Sequence, residues 1–476
     1  MVDLKRIFIK GGILSPSELK RIISYAKSLG LDAIHFGSRQ DIIFPEHKLN
    51  KEIEIQFPKL STSMISDATY QNIVCSYVAA DIFPSTPWLH GATYLYILES
   101  FKHQPKLKIN ISDPKQQLSP LFSGHLNFIT SPHEDYWYLN LKLPNWKKSV
   151  YYPVLVYSWD LSKIAKAIED TYEDAEDVDE LFMLINNLIE INCRTIETEL
   201  KVEFKPFPYY EGMNKMGINQ YWLGLYWRNN KYYLDFLNDF CDFCLDNRIG
   251  KICITPWKSF IVKGIPGESK LSLEKLLGKS GINIRHSLLE LNWHLPVNDD
   301  GALALKKFIV GNFDQNDIST YGLTFAITNR GQNKIYFTSI VIEKNTLPNI
   351  VKDFNIRPTY NVLYSENFNP NTQKYLVYAQ DVDKIELPGL LMELSKLYFE
   401  KLGEIEDDTD LNKFKNQEQN IEKEVYQCKE CLTVYDAEFG DKKFNIKSGT
   451  LFEDVPIEYE CPVCQASKNE FELVRI

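Results

Sequence analysis

Residues 425–476 read VYQCKECLTVYDAEFGDKKFNIKSGTLFEDVPIEYECPVCQASKNEFELVRI, and the cysteines within them decide what fold so short a stretch can adopt. Cys428-Lys-Glu-Cys431 is followed, after 29 residues, by Cys461-Pro-Val-Cys464. Two Cys-x-x-Cys turns at that separation let four thiolates converge on one tetrahedral centre. Such S4 coordination selects zinc or iron over harder cations. One pair alone is a weak signal; two pairs so spaced are the strongest in the chain. A chain this short needs a metal beside its apolar core, and Tyr426, Tyr435, Phe444, Phe452, Tyr459 and Phe471 are there to build that core.

Upstream, residues 403–424 (GEIEDDTDLNKFKNQEQNIEKE) hold four sizeable apolar groups, Ile405, Leu411, Phe414 and Ile421, too few for a core. They read as an acidic tether, with any helix expected after Leu411. The chain has 476 residues and a formal charge of −11, of which 403–424 carry −5 and 425–476 carry −4. The net negative charge argues against a nucleic-acid partner, and the acidity is concentrated at this end. The start, MVDLKRIFIKGG, has no apolar stretch of secretory length, and no run approaches the ~20 apolar residues that span a bilayer. The cytoplasm is the expected location, with no membrane partner. Nine cysteines without a signal segment point to metal or redox chemistry rather than a disulfide framework.

Residues 1–402 read as mixed helix and strand, with repeats near 10–101 and 232–313. Leu19, Ile22, Ile23 and Ala26 follow helical spacing and lead through Gly30 into the strand-like LDAIHFGSRQDIIF. Leu237, Phe240, Cys241 and Cys244 recur at the same spacing and lead through Gly250 into KICITPWKSFIV, at a fixed offset of 218 residues. Further on, Asn72-Ile73, Ser76, Gly91-Ala92, Leu95 and Phe101 parallel Asn283-Ile284, Ser287, Gly301-Ala302, Leu305 and Phe308 or Phe313 at about 211. The fold class expected is α+β, a duplicated unit. Between the copies a third α+β element is expected, with helices over 160–170 and 178–191 and a strand carrying Leu139, Leu141 and Leu143. Leu390, Leu391, Leu394, Leu397 and Tyr398 form a final packed helix behind Pro388.

Residues 426–476 resemble rubredoxin, the small mononuclear iron electron carrier. The resemblance rests on Tyr426-x-Cys428-x-x-Cys431, Tyr435-Asp436, Gly440-Asp441, Gly449-Thr450-x-Phe452-Glu453-Asp454-x-Pro456, Cys461-Pro462-x-Cys464 and Ala466-x-Lys468-x-x-Phe471-Glu472. It implies one iron ion held by Cys428, Cys431, Cys461 and Cys464 and cycling between Fe3+ and Fe2+; a structural zinc ribbon is the alternative. Leu432 and Gln465 stand where the family usually has glycine with positive φ, Ala437 where it has proline, and Tyr459 where it often has tryptophan.

Residues 10–45 and 250–265 resemble the paired half-repeats of the nitrite and sulfite reductases, which bind sirohaem beside a [4Fe–4S] cluster. Gly11-Gly12, Ser15, Ser38-Arg39-Gln40 and Thr255-Pro256-Trp257 carry it. The family's cluster needs four late cysteines, and between Cys253 and Cys428 there are none, so no [4Fe–4S] cluster is expected and sirohaem becomes a lesser alternative. Arg39, from the family's Arg-Gln pair, and Arg285 are the candidate cofactor- or anion-binding residues. Cys241-Asp-Phe-Cys244 aligns with Ile23 and Ala26 and reads as core, and His133-Glu134-Asp135 reads as a turn. The function expected is single-electron transfer, the large region docking a redox partner such as a reductase, in nitrite, nitrate or sulfite assimilation. The alternatives are a reductase fed by its own rubredoxin arm and a zinc-bearing scaffold.

Overall fold

The computed structural model describes residues 4–45, 69–226, 229–282, 293–331, 335–345, 350–351, 354–355, 357–413 and 424–475, save Leu432, Glu438 and Lys442. Two compact units divide the chain, Met1–Phe399 and Glu400–Ile476.

In the larger unit the first helix, Pro16–Ser28, starts where the sequence dictates. Ser15 accepts from the Glu18 amide, Glu18 reaches back to the Ser15 amide at 2.7 Å, and Pro16 sits at the first helical position. Its buried face carries Leu19, Ile22, Ile23 and Ala26. The equivalent helix, Leu234–Asp246, buries Leu237, Phe240, Cys241 and Cys244, as the offset requires. The two pack antiparallel, with Lys20–Asp242 at 2.5 Å and Lys27–Asp235 at 2.6 Å across the seam. These partly exposed pairs fix register more than stability.

Each helix leads into an antiparallel hairpin: Ala33–Phe36 with Ile42–Pro45, and Ile252–Ile254 with Phe260–Pro266. Neither sheet is completed by its own half. The strand ahead of the first helix, Ile13–Leu14, pairs with Ile252–Ile254, and Tyr232–Tyr233, ahead of the second helix, pairs with Ala33–Phe36. The pairs Leu14↔Ile252 and Tyr232↔Ile34 interchange under the offset of 218. The duplicated halves therefore complete one another by a reciprocal exchange of edge strands.

Each half also carries a sheet that begins with three parallel strands. In the first these are Ile73–Cys75, Ile109–Ser112 and Leu126–Thr130; in the second, Trp293–His294, Phe325–Asn329 and Ile340–Lys344. The helices Gly91–Ser100 and Asp300–Gln315 lie between the first two strands of each in sequence. In the second copy Phe313, not Phe308, is the buried counterpart of Phe101. Trp293–His294 takes the topological place of Ile73–Cys75, so the offset there is 220 rather than 211. Asn283-Ile284, Arg285 and Ser287 lie outside the described residues. The segment between the copies does not form a separate element. Its strands Tyr136–Leu141 and Val154–Tyr157 extend the first half's sheet, ahead of the expected helices Leu161–Thr171 and Val178–Leu188.

The last helix spans Leu387–Lys413 and buries Leu387, Leu391, Leu394 and Tyr398. It continues into the stretch expected to be an irregular tether and runs through Leu411 to Lys413; residues 414–423 lie outside the described residues. Residues 404–413 (EIEDDTDLNK) hold only four strong helix formers, and the extension follows because a helix already anchored by packing propagates without a new nucleus. No helix among the described residues is long and apolar enough to cross a membrane.

Gly12 sits at the crossing of the two halves with φ 69°. A Cβ there would meet the Ile254 carbonyl oxygen at 2.6 Å and Gln40 Cβ at 2.8 Å. Gly30 has a similar φ of 72° but open space around it. Gly30→Ala is expected to cost about 1 kcal/mol from conformation alone. Gly12→Ala should cost at least about 2 kcal/mol, because backbone must move; urea unfolding of the two variants measures the difference.

Candidate metal centre

In the smaller unit Glu424–Cys428 is the central strand of an antiparallel sheet, flanked by Val434–Tyr435 and Phe471–Arg475. The strand carries Cys428 at its end, and the Cys428 amide donates to Thr433 O at 2.9 Å to close the first turn. The second turn is closed by Gln465 N–H to Cys461 O at 2.9 Å and Cys461 N–H to Ala466 O at 2.8 Å. Gln465 adopts φ 61°, the left-handed conformation expected where the family uses glycine; holding a side chain there costs about 1 kcal/mol. Leu432 lies outside the described residues.

The four cysteine sulfurs all lie within 4.8 Å of one another. Cys428 Sγ stands 3.6 Å from Cys464 Sγ, and Cys431 Sγ 3.4 Å from Cys461 Sγ. A disulfide would need about 2.05 Å, whereas a tetrahedron with ~2.3 Å bonds places its sulfurs about 3.8 Å apart. The gathered sulfurs therefore fit a single tetrahedral metal. Without one, the thiols compete for charge. The Thr433 hydroxyl at 3.1 Å, aided by the Thr433 backbone, draws the Cys431 thiol down to about 6. Cys464 is stabilised as thiolate by the Ala466 amide, yet desolvation and the neighbouring thiols push it up to about 12. A bound cation relieves that competition by taking all four as thiolates.

Phe452 centres the apolar support. It stacks on Tyr426 at 4.1 Å and meets Phe471 at 5.2 Å and Tyr435 at 5.3 Å. Tyr459 packs on Phe444 at 5.1 Å, and its hydroxyl donates to Asp441 Oδ2 at 2.9 Å. Phe444 forms the rim, being 38% exposed. Cys428 and Cys461 are fully buried, Cys431 is partly buried and Cys464 is exposed, next to Val463, itself 70% exposed. The site is dry on one side and open on the other.

A family model described as Rubredoxin matches residues 425–471. Over 48 residues the chain is 44% identical to Rubredoxin-2 of Chlorobaculum tepidum, covering 10% of this chain and 92% of that protein. Through this unit the chain belongs to the rubredoxin family. It is also 49% identical over 41 residues to Rubredoxin-2 of Desulfovibrio desulfuricans, spanning 9% of this chain and 66% of that protein. With the High molecular weight rubredoxin of Moorella thermoacetica, 45% identity over 49 residues covers 10% of this chain and only 21% of that protein. The rubredoxin unit implies an iron ion and electron transport. The fold of most of the chain is similar to the solved structure of the Mycobacterium tuberculosis NirA protein, with a TM-score of 0.65 at 13% identity, over 82% of this chain and 79% of that one. That likeness is one of fold.

In the larger unit Arg39 is buried. Its Nη1 donates to Asn110 Oδ1 at 2.6 Å, and its Nη2 to the carbonyls of Asn72 and Ile109, both at 2.7 Å. Burial lowers its pKa to about 9. The guanidinium thus joins the Ser38–Gln40 turn to the sheet, leaving Nε without a partner. Arg285 lies outside the described residues. Sequence reading missed the basic residues gathered near Arg39. His125 is pulled down to about 4 by burial and by the charges of Lys108, Arg39 and Lys142. Burial also lowers Lys108 and Lys142. The remaining cysteines divide as expected. Cys241 and Cys244 lie in the helix-seam core, where burial raises both thiols, Cys241 to about 12. His133 and Asp135 form a turn, Asp135 at φ 62°.

Cys461→Ser is expected to abolish metal retention in the purified full chain, while Cys193→Ser, at an exposed position in the larger unit, leaves it unchanged by elemental analysis. Stripping the metal should unfold the smaller unit, because the binding energy of such sites is folding energy. Amide hydrogen exchange should show protection lost over 425–475 and kept in the larger unit.

Proposed function

We propose that the chain is a single-electron carrier. Cys428, Cys431, Cys461 and Cys464 hold one iron, and the larger unit docks the redox protein with which it exchanges electrons. The observation that carries this reading is the convergence of the four sulfurs within 4.8 Å. Bound there, iron supplies a one-electron couple. The chain's own residues keep the four sulfurs in place: backbone hydrogen bonds close both turns and the aromatic cluster packs beneath them, so little rearrangement opposes a change of charge. Buried Cys428 and Cys461 keep water from the inner side, and Cys464 brings a ligand sulfur to the surface where a partner can approach. The acidic balance of 425–476 suits a partner with a basic face. A setting in nitrite, nitrate or sulfite assimilation is supported by the NirA-like fold alone.

A second reading has a specific observation behind it. Arg39, Lys108 and Lys142 gather positive charge around His125 in the larger unit, and burial together with these charges holds that imidazole neutral. Such a group suits an anionic cofactor, which the smaller unit's electrons would then serve. A second chromophore in purified full-length protein favours this reading; its absence favours docking alone.

The carrier reading is tested by stopped-flow oxidation of the dithionite-reduced full chain with cytochrome c as a basic one-electron acceptor. One electron per chain is expected, at a rate that falls on the order of tenfold as ionic strength rises into the physiological range. A protein that yields no electron contradicts the carrier reading, and a salt-independent rate contradicts steering by the acidic unit.

A further inference from the structure

Each half of the larger unit carries a cavity, and the two share a few corresponding wall positions. The first encloses about 370 Å³ and is lined in part by Phe8 and Ile73; the second encloses about 260 Å³ and is lined in part by Tyr226 and Trp293. Phe8 and Tyr226 correspond under the offset of 218, and Ile73 and Trp293 open the parallel strands of their respective halves.

Lys258 forms part of the second cavity's wall. It stands where the first half has Gln40, at the same left-handed turn position, φ 60° against 56°. Gln40 is satisfied at both ends of its amide. It donates to the carbonyls of Cys75 at 3.0 Å and Ile254 at 2.9 Å and accepts from the Cys75 amide at 2.7 Å. Lys258 keeps only the donor half of that arrangement, its ammonium donating to the Leu295 carbonyl just beyond the strand Trp293–His294. A lysine in place of glutamine adds a charge that this turn does not need.

That charge is 6% exposed, and among the described residues no carboxylate lies within ion-pair distance of it. Asp41, which acts on it from a distance, is engaged by Arg6 at 3.2 Å. Burial pulls the Lys258 pKa down to about 7. His294, also held low by burial and by Lys258, has a buried Nε2 without a partner. A dry cation at a cavity wall with no described carboxylate in ion-pair distance is costly, and an arriving anion recovers that cost.

We infer that this second-half cavity binds a small monocarboxylate with a flat apolar body, its carboxylate on the Lys258 ammonium. Trp257, Trp293, Tyr226 and Leu303 supply the apolar walls, and Trp293 is held in place by stacking on Phe325 at 4.8 Å. Lys231, Asp299 and Asp300 also line the cavity; together with Lys258 they leave the wall without net positive charge, so a second negative charge on the ligand is repelled and a monoanion is favoured over a dianion. The volume, just below the usual range for drug-sized ligands, suits a small one-ring molecule.

Isothermal titration of the full chain with sodium benzoate, at fixed ionic strength, tests the inference. Lys258→Gln restores the residue type that the first half uses at this turn, so the variant should fold with an unchanged or raised melting temperature. Saturable binding is expected for the wild type, weakened about tenfold or more in Lys258→Gln, the scale of a lost charge-assisted hydrogen bond. Lys102→Gln, in the first-half cavity, should leave binding unchanged. Absence of binding to the wild type, equal binding to Lys258→Gln, or loss confined to Lys102→Gln would each overturn it.

Discussion

The pairing of Ile13–Leu14 with Ile252–Ile254, answered by Tyr232–Tyr233 with Ala33–Phe36, is the constraint on which the larger unit rests. Each half buries a helix face partly against the other's helix, and each leaves a sheet edge that the other's strand fills. A lone half would expose both the apolar seam and an unpaired edge. The exchange also brings the two turns to the crossing, where Gln40 reaches the Ile254 carbonyl and Gly12 leaves no room for a side chain. This duplication keeps the architecture fixed while the turn chemistry diverges, with Arg39-Gln40 in one half and Trp257-Lys258 in the other.

The smaller unit solves a different problem. Its eight-residue buried cluster, itself including Cys428 and Cys461, is too small to hold the chain by burial alone. Four sulfurs around one ion replace the missing core and serve the chemistry with the same bonds. That double use explains why the site is asymmetric: two sulfurs are buried with the aromatic rings, while Cys464 faces outward, where a redox partner can reach it.

Local signals in the sequence foretold much of this. The Cys-x-x-Cys spacing and the aromatic residues around Phe452 identified the smaller unit, and the apolar spacing of Leu19, Ile22, Ile23 and Ala26 identified the helix seam and its counterpart. Cys241 and Cys244 were readable as core because their aligned partners are apolar. Long-range pairing was not readable. Nothing local tells Ile13 that its neighbour is Cys253, or that Tyr136–Leu141 extends the first half's sheet. Lys108, His125 and Lys142 are separated along the chain and come together only when the strands assemble. The helical stretch beyond Phe399 was obscured because low apolar content mimics a tether, whereas an anchored helix needs only compatible residues to continue.

The central claim is that four cysteines hold a redox-active iron. It is tested most directly by a visible spectrum of full-length protein from iron-supplemented cells, before and after dithionite, with metal analysis on the same sample. One iron per chain, with a thiolate-to-iron absorption that bleaches on reduction and returns on reoxidation, is the result this account requires. A colourless protein with one zinc per chain that stays colourless after iron reconstitution would contradict it.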